Sequence, residues 1–317
     1  MRKLQPAPAK PSIKKTFRIL CALLCLLLLP LLGCARPNSG LWLVCSSDQG
    51  FYWQSLIDGA RQAAADHHRE LNLRILADGE GLSELLTPLV RGGAELVLLA
   101  LDRDDIPPGF YAPLPVVALG CELPNQPNLL GQYRNSEYFT GQETMQTLKR
   151  EIGNQIEVLL VTGEEHYRPD DAWEAELRRE GGLGGLIFHE RIVCYGDANL
   201  AYLGCKAALE AHPGVRALIC QSESATLGAL RALRELGGPA RILGREMNEE
   251  IALGVEDGLV QASYVTNAYA LGYLGLGDQL NPGQDAAGPR LLVIDSIAVR
   301  AENLFSEPIV RLLFPME

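Results

Sequence analysis

The sequence predicts an α/β protein made of two doubly wound lobes, each built on a parallel sheet. Three features of the sequence support this fold: short continuous apolar runs, amphipathic segments between them, and a restart of the alternation near the middle of the chain. Strands of parallel sheets read as continuous apolar runs because helices cover both faces. Each lobe should therefore order its strands 2-1-3-4-5 and bind ligands at the carboxyl ends of the strands.

The first series of elements begins at Leu41. A helix is predicted from Trp53 to Glu70, because apolar residues recur there every three or four positions, as on one helix face. In order, the predicted elements are the strand LWLVC, helix Trp53–Glu70, strand NLRIL, helix Leu82–Arg91, strands ELVLLA, PVVALG and LLGQY, and helix Tyr138–Ile152.

The second series repeats this pattern after residue 152. Its strands are again apolar and its helices amphipathic, so it should form a second sheet with its own core. In order, the predicted elements are the strand IEVLLV, helix Asp170–Glu180, strand GLIFHERIVCY, helix Ala198–Ala211, strand VRALIC, helix Ser224–Leu236, strand ARILG, helix Asn248–Asp257 and strand QASYV.

The N-terminus has the pattern of an export signal. Six basic residues precede the apolar stretch Ile19–Leu32, and no acidic residue occurs before Asp48. The stretch is shorter than the roughly 20 residues that cross a bilayer, and it suits a signal core. Leu31-Leu32-Gly33-Cys34 resembles the lipobox of bacterial lipoproteins, which implies cleavage after residue 33 and lipidation of Cys34. A short uncleaved anchor, or cleavage elsewhere, is the alternative.

Charge and motifs exclude several classes of protein. The chain carries a formal net charge of −11 despite its basic leader, which argues against nucleic-acid binding and against a broad basic membrane surface. No G-x-S-x-G, H-E-x-x-H or P-loop motif is present, so we expect no enzyme. No Cys or His spacing suggests a metal, and no cofactor is expected.

Five cysteines follow the proposed lipidation site, and an odd number leaves at least one thiol unpaired within the chain. Several of them end apolar runs, where cysteine usually behaves as a small buried hydrophobe. We expect mostly buried free thiols. A disulfide between two of the five is the alternative, with no pair assigned. The five are Cys45, Cys121, Cys194, Cys205 and Cys220.

The chain resembles the type I periplasmic binding proteins, the group of ribose-binding and related sugar-binding proteins. The segments that carry this resemblance are FYWQSLIDGARQAAADHHRELNLRIL, LVRGGAELVLLALDRDD, ALEAHPGVRALICQSESATLGALRALRELG, ILGREMNEEIALGVEDGLVQASYVTNAYALG and the tail ENLFSEPIVRLLFP. The effector domain of the lactose repressor shares the fold, but a repressor needs a helix-turn-helix where this chain has its leader.

The resemblance implies two lobes that close over a ligand and are joined by three hinge strands. After the leader at 1–33, the N-terminal lobe is expected to contain 40–133 and 267–288, and the C-terminal lobe 134–266 and 289–317. The hinge strands are expected near Gly131–Arg134, Thr266–Asn267 and Gly288–Arg290.

The resemblance also implies a ligand site between the lobes. An aromatic pair after the first strand would stack on the apolar faces of a sugar ring, and polar groups would read its hydroxyls. Each of these residues has an alternative reading, as packing or as a solvated loop residue. The candidates are Tyr52, Trp53, Glu122, Glu164, Ser222, Glu223, Glu246, Thr266 and Asn267.

Some positions depart from the family pattern. An aspartate usually ends the strand that here reads PVVAL, but Gly120-Cys121-Glu122 follows it. The arginine that usually begins the first helix of the second lobe is absent unless Arg168 replaces it. The resemblance therefore predicts the fold, but these departures leave the identity of the ligand unpredicted.

Two functions fit the resemblance. The first is a solute-binding lipoprotein that delivers a small polar ligand to an ABC permease. The alternative is a sensory lipoprotein that signals to a histidine kinase or a chemoreceptor. In both cases we expect a monomer outside the cytoplasm, tethered to a membrane through lipid.

Overall fold

The computed structural model describes residues 38–77, 80–102, 114–123, 127–153, 155–163, 173–179, 185–282 and 289–313. The leader with Cys34, and the predicted site residue Glu164, lie outside these ranges. Within them, no helix is long and apolar enough to cross a membrane.

The first lobe is built on a six-stranded parallel sheet. Its strands are β1 (Gly40–Cys45), β2 (Leu71–Ile75), β3 (Ala94–Ala100), β4 (Val116–Leu119), β5 (Leu129–Asn135) and β11 (Arg290–Ile294). They lie in the order β11-β5-β4-β3-β1-β2, so the predicted order of the first five strands is confirmed. Helices α1 (Phe51–Asp66), α2 (Leu82–Gly92) and α8 (Ala268–Leu280) cover this sheet.

The second lobe repeats this arrangement. Its strands are β6 (Glu157–Thr162), β7 (Ile187–Val193), β8 (Ala217–Cys220), β9 (Arg241–Arg245), β10 (Val260–Val265) and β12 (Ile297–Val299). They lie in the order β12-β10-β9-β8-β6-β7, and only β12 runs antiparallel to its neighbour. The helices are α3 (Glu137–Glu151), α4 (173–179), α5 (Ala198–Ala211), α6 (Glu223–Leu236), α7 (Glu249–Glu256) and α9 (Glu307–Leu313).

Each sheet has a separate apolar core on each face, as a doubly wound lobe requires. The middle of strand β6, residues 158–161, illustrates why strands of such a sheet are continuously apolar. Leu159 and Val161 point into the core that includes α5 and α6, whereas Val158 and Leu160 point into the core that includes α3 and α4. Both faces of the strand are therefore removed from water at these four positions, so none of the four favours a polar residue.

Helix α8 fixes the position of α1 in the first lobe. A Cβ atom added at Gly272 would lie 2.1 Å from the carbonyl oxygen of Leu56, and one added at Gly59 would lie 2.1 Å from that of Tyr269. The two helix backbones therefore approach more closely than side chains allow. This contact holds in place the helix that carries the aromatic pair Tyr52 and Trp53.

The chain passes between the lobes three times in the described ranges: after Asn135, after Val265 and after Ile294. Hydrogen bonds connect the three crossings. The backbone N–H of Ser136 donates to the carbonyl of Ile294 at 3.0 Å, and the amide of Asn135 donates to the hydroxyl of Thr266.

One predicted lobe boundary differs from the structure. The sequence analysis assigned 289–317 to the C-terminal lobe, but residues 290–294 form β11, which pairs with β5 of the first sheet. The third crossing therefore lies at 295–296 and not at 288–290. The apolar run RLLVI was read as part of the tail because nothing local distinguishes a strand of one lobe from a strand of the other.

The five cysteines after the leader are buried thiols, as expected from the sequence. Burial opposes the charged thiolate and raises the pKa of Cys45 and of Cys205 to about 12. These thiols therefore act as apolar packing groups.

Candidate functional site

A cavity of about 480 Å³ lies between the two lobes, at the carboxyl ends of their strands. This is where open parallel sheets bind ligands, because strand ends and helix N-termini converge there. The side chains that line it come from both lobes. They include Ser47, Gln49, Tyr52, Trp53, Asp102, Asn135, Tyr195, Gln221, Ser222, Glu223, Ser224, Arg245, Glu246 and Thr266.

Tyr52 and Trp53, in the first turn of α1, form the aromatic wall of the cavity. The rings of Tyr52 and Trp53 meet edge to face, with centroids 5.1 Å apart and planes at 86°. The Tyr52 hydroxyl lies against Gly120, where an added Cβ atom would be only 2.1 Å from the hydroxyl oxygen. Gly120 thus leaves room for the ring beside the end of β4. Burial raises the pKa of Tyr52 above its usual range, so its hydroxyl stays protonated.

Glu223 joins the two lobes at the cavity. It is the first residue of α6, and its Oε2 accepts a hydrogen bond of 3.2 Å from the backbone N–H of Phe51 in the first lobe. Its Oε1 accepts from Nδ2 of Asn248 at 2.9 Å. The residue that precedes α1, Gly50, has no side chain with which to cap the helix. The carboxylate of one lobe therefore caps a helix of the other.

Glu246 is buried where the second lobe meets the crossing at Thr266. Its Oε1 accepts from the Thr266 hydroxyl at 2.6 Å and its Oε2 from the Thr266 backbone N–H at 3.3 Å. Burial raises the pKa of this carboxyl from 4.5 to about 7, and the nearby charge of Glu223 adds to the increase. The charge of Arg245 and the bonds from Thr266 oppose it only in part.

Gln221 presents an unpaired amide to the cavity. It is 5% exposed, and neither Oε1 nor Nε2 of its side chain has a hydrogen-bond partner among the residues that the structure describes. A buried amide without partners costs free energy, on the order of 1–3 kcal/mol for each lost bond. A ligand that supplies both a donor and an acceptor would recover it.

The cavity brings together most of the predicted site residues. Six of the nine line it: Tyr52, Trp53, Ser222, Glu223, Glu246 and Thr266. Glu122 does not line it and forms an ion pair with Arg134. Asn267 also does not line it, because its Oδ1 accepts from the backbone N–H of Ala270 and so caps α8. Glu164 lies outside the described residues.

Three lining residues, Asn135, Gln221 and Arg245, were not predicted from sequence as site residues. Each stands at the carboxyl end of a parallel strand: Asn135 ends β5, Gln221 follows β8 and Arg245 ends β9. The rule that ligands bind at strand ends would have found them. The burial of Gln221 and Arg245, and the lack of hydrogen-bond partners for the amide oxygen of Asn135 and the amide of Gln221 among the described residues, could not be read from sequence.

Taken together, the lining suits a small, polar, uncharged or cationic molecule. It offers carboxylate and amide oxygens, hydroxyls and the aromatic rings of Tyr52, Trp53 and Tyr195. Among the described residues, no group of three His, Cys, Asp or Glu side chains could hold a metal ion.

The family comparison covers most of the chain. A model described as periplasmic binding proteins and sugar binding domain of LacI family matches residues 38–265. No curated protein matches the sequence.

Solved structures share the fold at low identity. GanP, a glucose-galactose binding protein from Geobacillus stearothermophilus, aligns with a TM-score of 0.73 at 15% identity, over 84% of this chain and 99% of that one. An ABC transporter solute-binding protein from Burkholderia graminis, in complex with D-arabinose, aligns at 0.76 and 16%, over 86% and 98%. A chain of the XylFII–LytSN complex aligns at 0.71 and 17%, over 83% and 98%. These likenesses establish the fold.

Proposed function

The chain belongs to the family of periplasmic binding proteins and LacI-type sugar-binding domains, and from this we propose that it is an extracytoplasmic solute-binding protein. It holds a small, polar, sugar-like ligand between its lobes and catalyses no reaction. The ligand contacts are Tyr52, Trp53, Ser222, Glu223, Glu246 and Thr266 from the sequence analysis, joined by Asn135 and Gln221.

The observation that carries this proposal is the unpaired, buried amide of Gln221 in a cavity between two lobes. Buried amides are almost always hydrogen-bonded, so this one calls for a partner from outside the described protein residues, which a ligand in the cavity would supply. Beside it, Tyr52 and Trp53 offer aromatic faces and edges to the apolar C–H groups of a ring. Aromatic contact combined with amide and carboxylate contacts suits a polyhydroxylated ring.

We further propose that the protein is a lipoprotein that serves an ABC importer as a monomer. The leader with Gly33-Cys34 supports lipidation at Cys34, after which the body would remain tethered outside the cytoplasm. The fold shared with an ABC transporter solute-binding protein and with GanP supports delivery to a permease.

A sensory role is the second candidate. The XylFII–LytSN complex contains a chain of this fold bound to a partner protein, which favours the same arrangement here: closure on ligand would be passed to a sensor kinase or chemoreceptor. The genes beside this one separate the two roles, because an importer requires a permease and an ATPase nearby and a sensor requires a kinase.

The test of ligand binding is mass spectrometry of small molecules released from gently purified protein, followed by calorimetric titration with the compounds found. Gln221→Ala should weaken that binding about tenfold or more, because the ligand loses two hydrogen bonds in a buried site. Gln62→Ala, on α1 outside the cavity lining, is the matched control. Unchanged affinity in Gln221→Ala would place the ligand elsewhere.

A further inference from the structure

We infer that the ligand carries a protonated amino group, which Glu246 and Asn135 receive on either side of the Thr266 hydroxyl. The ligand class is thus an amino sugar or an amino polyol. This inference rests on the proposed function and narrows it, because a binding protein for neutral sugars would share the fold and the aromatic wall.

The hydrogen bonds around Thr266 have a fixed direction. The single hydroxyl proton of Thr266 goes to Oε1 of Glu246 at 2.6 Å, so the hydroxyl oxygen can only accept from Asn135. The Asn135 side chain must therefore turn its Nδ2 toward Thr266. Its Oδ1 is left buried, with no hydrogen-bond partner in the described part of the chain.

Two acceptors thus lie on either side of one hydroxyl, on residues that line the cavity. The amide oxygen of Asn135 and the carboxylate of Glu246 flank the same hydroxyl, and both residues line the cavity. Each carboxylate oxygen takes one bond from Thr266 and keeps capacity for another. The Thr266 hydroxyl donates its single proton to Glu246 and its backbone N–H also donates to Glu246, so Thr266 has no donor left and this corner offers the ligand acceptors.

An ammonium group matches such a corner better than a hydroxyl does. An ammonium has three donors and no acceptor, so it can bond the amide oxygen and the carboxylate at once. A hydroxyl has only one donor, so it can bond only one of these two acceptors. Its lone pairs would then face the other acceptor, which is unfavourable. Gln221 offers an acceptor and a donor in the same cavity, which suits the hydroxyls of the rest of the ligand.

The charged groups that line the cavity also favour a cationic ligand. Among the residues that the structure describes, three carboxylates line the cavity, those of Asp102, Glu223 and Glu246, together with one guanidinium, that of Arg245. Of the three, Glu223 already accepts bonds from Phe51 and Asn248, and Asp102 is exposed. Glu246 is the buried one at 8% exposure, and its neighbours do not fully offset the cost of burying its charge. A cationic group on the ligand would offset this cost.

The experiment compares matched compounds that differ in one group. Purified protein is titrated by calorimetry at neutral pH with three pairs: D-glucosamine and D-glucose, D-galactosamine and D-galactose, and D-glucamine and D-glucitol. N-acetyl-D-glucosamine tests nitrogen without charge, and D-glucuronate tests the opposite charge. We expect at least one amino compound to bind about tenfold more tightly than its neutral partner, because a charge-assisted hydrogen bond is roughly twice as strong as a neutral one.

Two variants test the role of Glu246. Glu246→Gln keeps the shape of the side chain and removes its charge, so the amino preference should fall to within about threefold. Glu256→Gln removes an equal charge from an exposed position on α7 that does not line the cavity, and the preference should persist.

The outcomes separate this inference from the proposed function. Neutral sugars that bind as tightly as their amino partners would overturn the inference and leave the proposed function standing. An amino preference that survives in Glu246→Gln would overturn the assignment of the amine to this corner. Absence of binding by the whole panel, together with no small molecule released from the purified protein, would overturn both.

Discussion

The backbone N–H of Phe51 donates a hydrogen bond of 3.2 Å to Oε2 of Glu223, and the two residues belong to different lobes. The Phe51 ring also packs against the apolar core of the second lobe. Helix α1 has no side-chain cap within its own lobe, so separation of the lobes would leave its first N–H groups to water. The closed arrangement is therefore stabilised by a cap that exists only when the lobes meet.

Glu223→Ala should shift the protein toward an open arrangement. Loss of a helix cap costs about 1 kcal/mol, roughly a fivefold change in the ratio of closed to open molecules. Small-angle X-ray scattering of the ligand-free protein should show a larger radius of gyration. Glu249→Gln is the control, because Glu249 is exposed in the first turn of α7 and does not line the cavity. An unchanged radius for Glu223→Ala would show that this bond does not hold the lobes together.

Trp53 should report ligand binding. It is one of three tryptophans, and Trp42→Phe with Trp173→Phe leaves it as the only indole in the chain. Fluorescence of that variant should change on titration with the ligand that mass spectrometry identifies. Trp53→Ala should weaken binding by about 2 kcal/mol, close to 30-fold, through lost stacking and apolar contact. Trp42 lies on β1 away from the cavity, so Trp42→Phe alone should bind normally. A folded Trp53→Ala protein within threefold of wild type would remove Trp53 from the site.

Gly120→Ala should damage the aromatic wall. A Cβ atom there would lie 2.1 Å from the Tyr52 hydroxyl, and the residue has a φ of +71°, which L side chains rarely adopt. We expect a loss of stability of about 1–3 kcal/mol in urea unfolding and weaker ligand binding as Tyr52 is displaced. Gly277→Ala is the control, since a Cβ atom there contacts nothing within 4 Å and the residue lies in helix α8. Equal stability of the two variants would contradict the contact.

Glu246 should make stability depend on pH. Burial raises its pKa from 4.5 to about 7, with Glu223 adding to the increase and Arg245 and Thr266 opposing it. The folded protein therefore keeps a proton that the unfolded chain releases above pH 4.5. The stabilisation is fully present below pH 4.5 and is lost as the pH rises through about 7, for a total of about 3 kcal/mol.

Urea unfolding at several pH values between 4.5 and 8 measures this effect. Glu246→Gln cannot titrate, so its stability should fall less across the range and should exceed that of wild type at pH 8. Glu256→Gln should retain the slope of wild type, because its exposed carboxyl is removed without changing the buried one. The same slope in Glu246→Gln and wild type would show that another group titrates.

Cys34→Ala should block lipidation while leaving export intact. The signal core at Ile19–Leu32 remains, but the thiol that would carry diacylglycerol is gone. Metabolic labelling with a palmitate analogue should mark the wild-type protein and leave the variant unmarked. Cys45→Ala should still be labelled, because Cys45 is buried in β1. Equal label on wild type and Cys34→Ala would exclude a lipid at this cysteine.

The order of elements in each lobe could be predicted from sequence because it depends on local patterns. Strand β6 is apolar at 158–161 because both its faces are covered there, and α6 shows the spacing of an amphipathic helix. The position of β11 could not be predicted, because RLLVI suits either sheet and only its pairing with β5 decides the lobe. The boundaries of α1 also moved, from 53–70 to Phe51–Asp66, since local propensity fixes helix ends poorly.

The sequence by itself determined the two-lobed α/β fold, because that fold follows from the alternation of apolar runs and amphipathic segments. It also determined the acidic charge of the chain, and six of its nine candidate site residues line the cavity. The tertiary structure decided how those residues act. Glu122, as near to a strand end as Glu223, pairs with Arg134 outside the cavity, while Glu223 caps a helix of the other lobe. The amide oxygen of Asn135 and the amide of Gln221 became candidates only because these atoms are buried and lack hydrogen-bond partners among the described residues. Hydrogen-bond partners and desolvation depend on segments distant in the chain, and no local pattern specifies them.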